Sequence, residues 1–250
     1  MSGSGFIKDG RISMKNSTNK LSVVIITKNE EKFIGDAIKS SLFAEEVLIL
    51  DSGSSDKTCE IASSLGSKVY QQEWLGFGAQ KNAAVALAAN EWVFVLDSDE
   101  RITKELQTEI LNVLENPSNE GFFVARLNNF WGKNIKTCGL YPDFSLRLFK
   151  KGAGKFNEVA VHESVQLTSK PGHLKNHMIH LAYDSIEEFV QKQNRYSSLN
   201  HKKRNLFKAI VNPYWTFFKL FIIKKGFLDG WHGFVISKLY AQYTFWKYIK

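Results

Sequence analysis

Asp97 and Asp99 stand one residue apart at the end of the apolar run Trp92-Val93-Phe94-Val95-Leu96, with Glu100 directly behind them. Two carboxylates at such a strand-to-loop corner can both turn toward a hard cation, while a substrate's phosphate oxygens complete the shell. Mg2+ or Mn2+ bridging a diphosphate is the implied species. The same Asp-Ser-Asp also reads as a solvated cap for a helix beginning near Thr103, and position decides between the two. Polar, mostly acidic residues end the neighbouring apolar runs as well, at Thr27 to Glu30 and at Asp51 to Asp56. Histidine is harder to read. His173, His177 and His180 have the i, i+4, i+7 spacing that places three ligands on one helix face. The alternation of Leu174, Asn176, Met178 and His180 after Pro171-Gly172 instead reads as a strand, which turns His177 away from His180 and leaves scattered polar histidines. His162 or His180 as a third ligand to the cation is the alternative. Arg147 reads as a phosphate ligand or as half of a surface ion pair.

The elements that must position these groups follow from periodicity. Leu21 to Thr27 is a continuous β-branched run suited to a strand buried on both faces, and Glu46 to Asp51 and Trp92 to Asp97 repeat the pattern. Helical spacing covers the stretch after Asn29 through Ser41, Thr58 to Leu65, Gln80 to Ala89 and Lys104 to Leu114. A short strand is expected at Lys68 to Gln71, and Trp74 to Gly78 reads as a loop. Gly121 to Leu127 and Ser145 to Phe149 look like strands of a more mixed second half, and a polar helix runs from Ser185 to Lys203. This alternation predicts a doubly wound α/β sheet whose ligand sits beyond the carboxyl ends of the strands. A dinucleotide dehydrogenase is disfavoured, because no G-x-G-x-x-G follows the first strand.

The charge is unevenly spread. The 250 residues carry 33 Lys and Arg against 25 Asp and Glu, a net +8, yet residues 201–250 hold ten of those cations against the single Asp229 and 14 of the chain's aromatic side chains. A near-neutral body with a basic, aromatic tail fits contact with an anionic membrane better than nucleic-acid binding. The competing reading packs the aromatics on the α/β domain or into a homo-oligomer interface. Ala209 to Ile223 reads as too short to span a bilayer and as interrupted by Asn212, Pro213 and Lys219. Cys59 and Cys138 form no metal or disulfide framework, which suits a reducing cytoplasm. Met1 to Lys20 lacks an apolar signal core and reads as a disordered leader, with Met14 as a second candidate start. Residues 21–184 then form the main α/β domain, divided near 115 into two halves, and residues 185–250 form a helical extension.

Four blocks in order carry a resemblance: Ser22-Val-Val-Ile-Ile-Thr-Lys-Asn-Glu-Glu31, Val47-Leu-Ile-Leu-Asp-Ser-Gly-Ser-Ser-Asp-Lys-Thr58, Gly78-Ala-Gln-Lys-Asn82 and Val95-Leu-Asp-Ser-Asp-Glu100. They resemble the family 2 glycosyltransferases of GT-A fold, over about Leu21 to Lys151. Tyr141-Pro-Asp-Phe-Ser-Leu-Arg-Leu-Phe149 and Val161-His-Glu163 are similar to the branch that adds glucose, or a related sugar, to the inner core of lipopolysaccharide or lipooligosaccharide.

The resemblance implies roles. Thr27, Asn29 and Glu30 would line the nucleotide pocket, and Asp51 would accept from the uracil N3–H, as an acceptor-only carboxylate can. Asp56 reads as a turn and cap residue. Lys81 stands where the family usually has Arg, and could hold a phosphate or the base as a point charge. Asp97 and Asp99 would hold the metal, with Asp97 also near the ribose. The base that takes the acceptor hydroxyl's proton would be Asp143, with Glu163 its competitor. Leu140 and Tyr141 fall where the family often carries an acidic pair, so the chain departs from the pattern there. The expectation is an inverting, metal-dependent hexosyltransferase at the cytoplasmic face of a bacterial inner membrane, moving glucose from UDP-glucose to a lipid-linked saccharide. A polyprenyl phosphate acceptor, or an inactive scaffold of the same fold, is the alternative.

Overall fold

The computed structural model describes residues 19–157 and 164–250; the leader up to residue 18, and His162 with Glu163, lie outside them. The elements in chain order are β1 (Leu21–Thr27), α1 (Ile34–Ser41), β2 (Glu46–Asp51), α2 (Thr58–Ser64), β3 (Lys68–Gln71), α3 (Phe77–Leu87), β4 (Trp92–Asp97), β5 (Glu100–Ile102), α4 (Lys104–Glu115), β6 (Gly121–Phe130), β7 (Lys133–Asn134), β8 (Asp143–Lys150), β9 (Gly154–Phe156), β10 (Val165–Leu167), β11 (Gly172–Tyr183), α5 (Ile186–Leu199), α6 (Leu206–Phe218) and α7 (Trp231–Ile249). The chain forms two compact units, residues 1–125 with 144–178, and residues 126–143 with 179–250.

The main sheet has the order β3-β2-β1-β4-β8-β6-β11-β5. Its first four strands are parallel, and β8 then runs antiparallel to β4. Every residue of β1 is buried, and its side chains divide by the two-residue strand period. Val23 and Ile25 pack with α1 and α4 on one face, while Val24 and Ile26 pack against Ala84 and Val85 of α3 on the other. A strand covered on both sides has no use for polar alternation, which is why the sequence shows none. Register does the positioning. Thr27 lies opposite Asp51, and Ile26 lies opposite Asp97, so three polar strand ends share one edge of the sheet.

The second unit has its own core, in which Phe130, Ile135, Cys138, Ala182, Phe189 and Ile236 are buried together. Asp229 ties the 133–138 stretch to the C-terminal helices, accepting from Thr137 Oγ1 at 2.7 Å and sitting 3.4 Å from Lys133 Nζ. These contacts, with Ala182 and Tyr183 in the shared core, join residues 126–143 and 179–184 to the C-terminal helices, so the unit begins earlier than the boundary at 185 expected from the sequence. Asn205 caps α6 through the Lys208 N–H. That helix continues past Pro213 into a π-helical turn at Lys219–Ile223. The expectation of a segment too short to cross a bilayer is thereby corrected: Leu206–Ile223 is one helical stretch of 18 residues, long and apolar enough by length and composition to do so.

Three further differences have local causes. Helix α3 begins at Phe77, inside the expected loop, because Gln80 folds back to accept from the Leu75 N–H at 3.3 Å and holds the first turn. Helix α1 starts only at Ile34, since the backbone from Asn29 to Glu31 is engaged by Ser54, Thr58 and Asp56 side chains. The histidines from 173 to 180 lie on β11, as the alternation indicated and the helical spacing did not.

Candidate functional site

The common edge of β1, β2 and β4 carries a buried charge array. Asp97 receives Lys81 Nζ on one carboxylate oxygen at 3.0 Å and Arg147 Nη2 on the other at 2.9 Å. The same guanidinium reaches Glu100 at 2.6 Å, and Glu100 accepts from the Asp97 N–H at 3.0 Å. Lys81, Glu100 and Arg147 are buried, and Asp97 alone of the four keeps an exposed face, at 30%. Burial by itself would raise the Asp97 carboxyl, but the Lys81 and Arg147 charges outweigh it and hold the group well below the usual carboxylate range. Burial likewise lowers the Arg147 guanidinium, and the Glu100 and Asp97 charges more than reverse that. Two cations thus meet two anions, and this edge of the sheet folds without net charge from these four groups.

This arrangement revises two sequence expectations. Arg147 is neither a surface ion pair nor open to a phosphate; it is buried within the sheet, its Nη2 shared between Asp97 and Glu100 and its Nη1 donated to the Val95 carbonyl at 3.3 Å. Lys81 is turned to Asp97 and lies 5.6 Å from the centre of the Phe156 ring. Gln80 and Glu100 are residues of this edge that the block spacing does not single out. Gln80 is fully buried and donates to Ser52 Oγ at 3.0 Å, clipping α3 to the loop after β2 and so aiming Lys81. Its neighbours in Gly78-Ala-Gln-Lys-Asn82 were the available signal.

The loops after β1 and β2 brace each other. Asn29, at φ 54°, accepts from the Ser55 N–H at 2.8 Å, and its own N–H donates to Ser54 Oγ. Glu30 donates its N–H to Thr58 Oγ1 at 2.8 Å, and Asp56 caps that residue. Asp51 is fully buried and accepts from the Gly53 and Ser54 N–H groups at 2.9 and 2.8 Å and from the Ser54 hydroxyl. Burial pushes its carboxyl up, and these hydrogen bonds pull it below the ordinary value. As folded, Asp51 holds its own turn rather than facing outward to a base. Thr27 has the opposite character: its Oγ1 is buried and has no hydrogen-bond partner among the described residues, an orphan of the kind a ligand satisfies.

Asp99 follows Asp97 on the loop and is partly exposed. No three His, Cys, Asp or Glu side chains converge as a metal cage among the described residues. The oxygens at this corner are carboxylate, the type of ligand a hard divalent cation takes, and each oxygen of Asp97 already accepts from one cation, Lys81 or Arg147. Of the histidines, His173 packs between the Phe123 and Phe144 rings, while His180 Nδ1 pairs with Asn128 at 2.7 Å.

Of the two candidate bases, Asp143 opens β8 in the second unit and is 40% exposed; the Arg126 fork binds its Oδ2 at 2.7 and 3.0 Å. Glu163 lies outside the described residues, which resume at Ser164 after Asn157. Asn157 and Ser164 bond to each other, and Phe156 bonds to the Asn82 amide in both directions, one residue beyond Lys81.

Residues 22–161 match the family described as Glycosyl transferase family 2. An uncharacterized glycosyltransferase of Rickettsia felis is 32% identical to this chain, covering 92% of it and 89% of the relative. The lipopolysaccharide core biosynthesis glycosyltransferase LpsC of Rhizobium meliloti is 29% identical, over 90% and 89%. Among solved structures, TarS of S. aureus in complex with UDP is 19% identical, covering 84% of this chain and 75% of that one, with a TM-score of 0.49.

Proposed function

The chain belongs to glycosyl transferase family 2, and on that premise we propose that it moves a hexose, glucose from UDP-glucose, onto a lipid-linked saccharide of the lipopolysaccharide core. The observation that carries the donor reading is the polar edge at Thr27, Asp51 and Asp97, with its orphaned threonine hydroxyl and its internally balanced carboxylate. The likeness to LpsC along nine-tenths of the chain supports the acceptor class.

In this reading the nucleotide lies against Thr27 and the loop from Asn29 to Glu30. Asp97 and Asp99 would hold Mg2+ or Mn2+, which neutralises the departing diphosphate when bound. Lys81 and Arg147 fix the position of the Asp97 carboxylate, so that no side chain has to reorganise when the donor arrives. A carboxylate then takes the acceptor hydroxyl's proton, the oxygen forms its bond to the anomeric carbon, and the bond from that carbon to the diphosphate breaks with inversion. Asp143 is the assigned base, and Glu163 is the competing assignment.

A screen of UDP-, GDP-, ADP- and CMP-sugars for hydrolysis or transfer tests the donor, with UDP-glucose expected to lead and a GDP-sugar preference overturning it. Thermal stabilisation by UDP, measured with and without Mn2+, separates an enzyme from an inactive scaffold. Asp143→Asn should abolish transfer while leaving UDP binding intact; full activity in that variant, with loss in Glu163→Gln, reassigns the base.

A further inference from the structure

Helix α6 and its π-helical turn present apolar surface that the protein leaves uncovered. Of Leu206–Ile223, Ala209 is the single buried residue. Phe207, Ile210, Tyr214, Trp215, Phe218 and Ile222 recur at the three- and four-residue spacing of one helical stripe, with Phe207 and Tyr214 about three-quarters exposed. The opposite side of the helix packs on α7, through Phe217 against Phe234 and a Thr216–Thr244 hydrogen bond. Cations border both ends of the stripe. Lys202, Lys203 and Arg204 precede it, Lys219, Lys224 and Lys225 close it, and all six are exposed. An apolar and aromatic band between basic ends complements a bilayer with anionic head groups: the rings enter the head-group and acyl boundary while the lysines reach the phosphates.

Length and composition would also allow this helix to cross a membrane, but its attachments do not. At the amino end, Lys202 N–H donates to Lys247 O at 2.7 Å and Asn205 N–H to Tyr248 O. At the carboxyl end, Cys138 N–H donates to Lys224 O at 3.0 Å, and Asp229 is held by Thr137 and Lys133. Both ends are therefore fastened to the same folded unit. Threading α6 through hydrocarbon would draw α7 and the polar helix α5 in with it, leaving charged groups such as Lys238 and Lys192 to be desolvated.

We infer that the exposed stripe of α6 is a membrane-seating surface that lies in the plane of an anionic bilayer, with both helix ends on the same side. The surface is independent of which sugar or acceptor the enzyme uses.

Flotation of the full chain with vesicles of phosphatidylglycerol and phosphatidylethanolamine tests it. Wild type is expected to float with these vesicles and far less with phosphatidylcholine alone. Phe207→Ser/Tyr214→Ser/Phe218→Ser should lower the bound fraction by about ten-fold or more, with circular dichroism melting and donor-sugar hydrolysis unchanged. In a Cys59→Ser background, Lys203→Cys and Lys225→Cys should both react with a membrane-impermeant maleimide added outside sealed vesicles. The inference fails if wild type does not float, if the triple variant floats as wild type does, or if one of the two thiols is protected, which would mark a spanning helix. It fails equally if wild type sediments as a dimer that the triple substitution dissociates, because a second copy would then be the occupant.

Discussion

At the residue scale, Thr27 separates stability from function. Its hydroxyl is buried without a partner, so Thr27→Val, nearly equal in shape, should leave unfolding free energy unchanged or raise it by about 1 kcal/mol. The same change should weaken UDP binding several-fold by calorimetry if the hydroxyl serves the donor. Arg147 gives the reverse case. Arg147→Met leaves Glu100 buried without its cation and Asp97 with Lys81 alone, and urea unfolding should show a loss of about 3–5 kcal/mol. Adding Glu100→Leu should recover part of that loss, because the two sites share one interaction. Asp51 carries a pH signature. Its folded value lies below its unfolded one, so its contribution is complete above about pH 4 and disappears as pH falls below that. Asp51→Asn should therefore have a lower unfolding midpoint near neutrality that falls less steeply on acidification than wild type's. The identities of Asp97, Asp99, Asp51 and Lys81 were legible as block residues; their partners were not. Nothing in the spacing says that the arginine four places after Asp143 crosses to β4, because that contact comes from antiparallel pairing made outside the blocks.

At the scale of elements, the parallel half was readable nearly to the residue, since strands buried on both faces leave unbroken apolar runs and short loops constrain their order. The failures lie where side chains seize backbone, as at α1 and α3, and where tertiary support overrides a local breaker. Pro213 forfeits one helical hydrogen bond, yet α6 is carried through it by its packing on α7. That packing depends on small residues elsewhere in the unit. A Cβ on Gly233 would fall 1.8 Å from the Gly226 carbonyl oxygen, so the start of α7 can approach the preceding turn only as glycine. Gly233→Ala should cost about 1–3 kcal/mol by overpacking. Hydrogen exchange should show the protection of residues 231–249 falling while that of β1, β2 and β4 is kept.

At the scale of the molecule, the basic and aromatic excess of the last fifty residues serves two ends. Tyr240 of α7 helps build the second unit's core, lying 5.3 Å from Phe189, while Phe207, Tyr214, Trp215 and Phe218 of α6 are exposed. Composition could count these residues but could not sort them, because a buried face and an exposed one draw on the same side chains. Removal of everything after Asn205 is accordingly not a clean deletion of an anchor. It should leave residues 126–143 sensitive to protease under conditions where the full chain resists, and limited proteolysis read by mass spectrometry will show whether it does. The same discontinuity sets an order of birth. The stretch that ends at Asp143 leaves the ribosome well before the helices that hold it, and Asp229 and Gly233, against which Thr137 and Cys138 settle, follow their partners by 92 and 95 residues. A nascent chain can therefore close its parallel sheet early, yet the second unit is completed only once the exposed stripe of α6 has itself been synthesised.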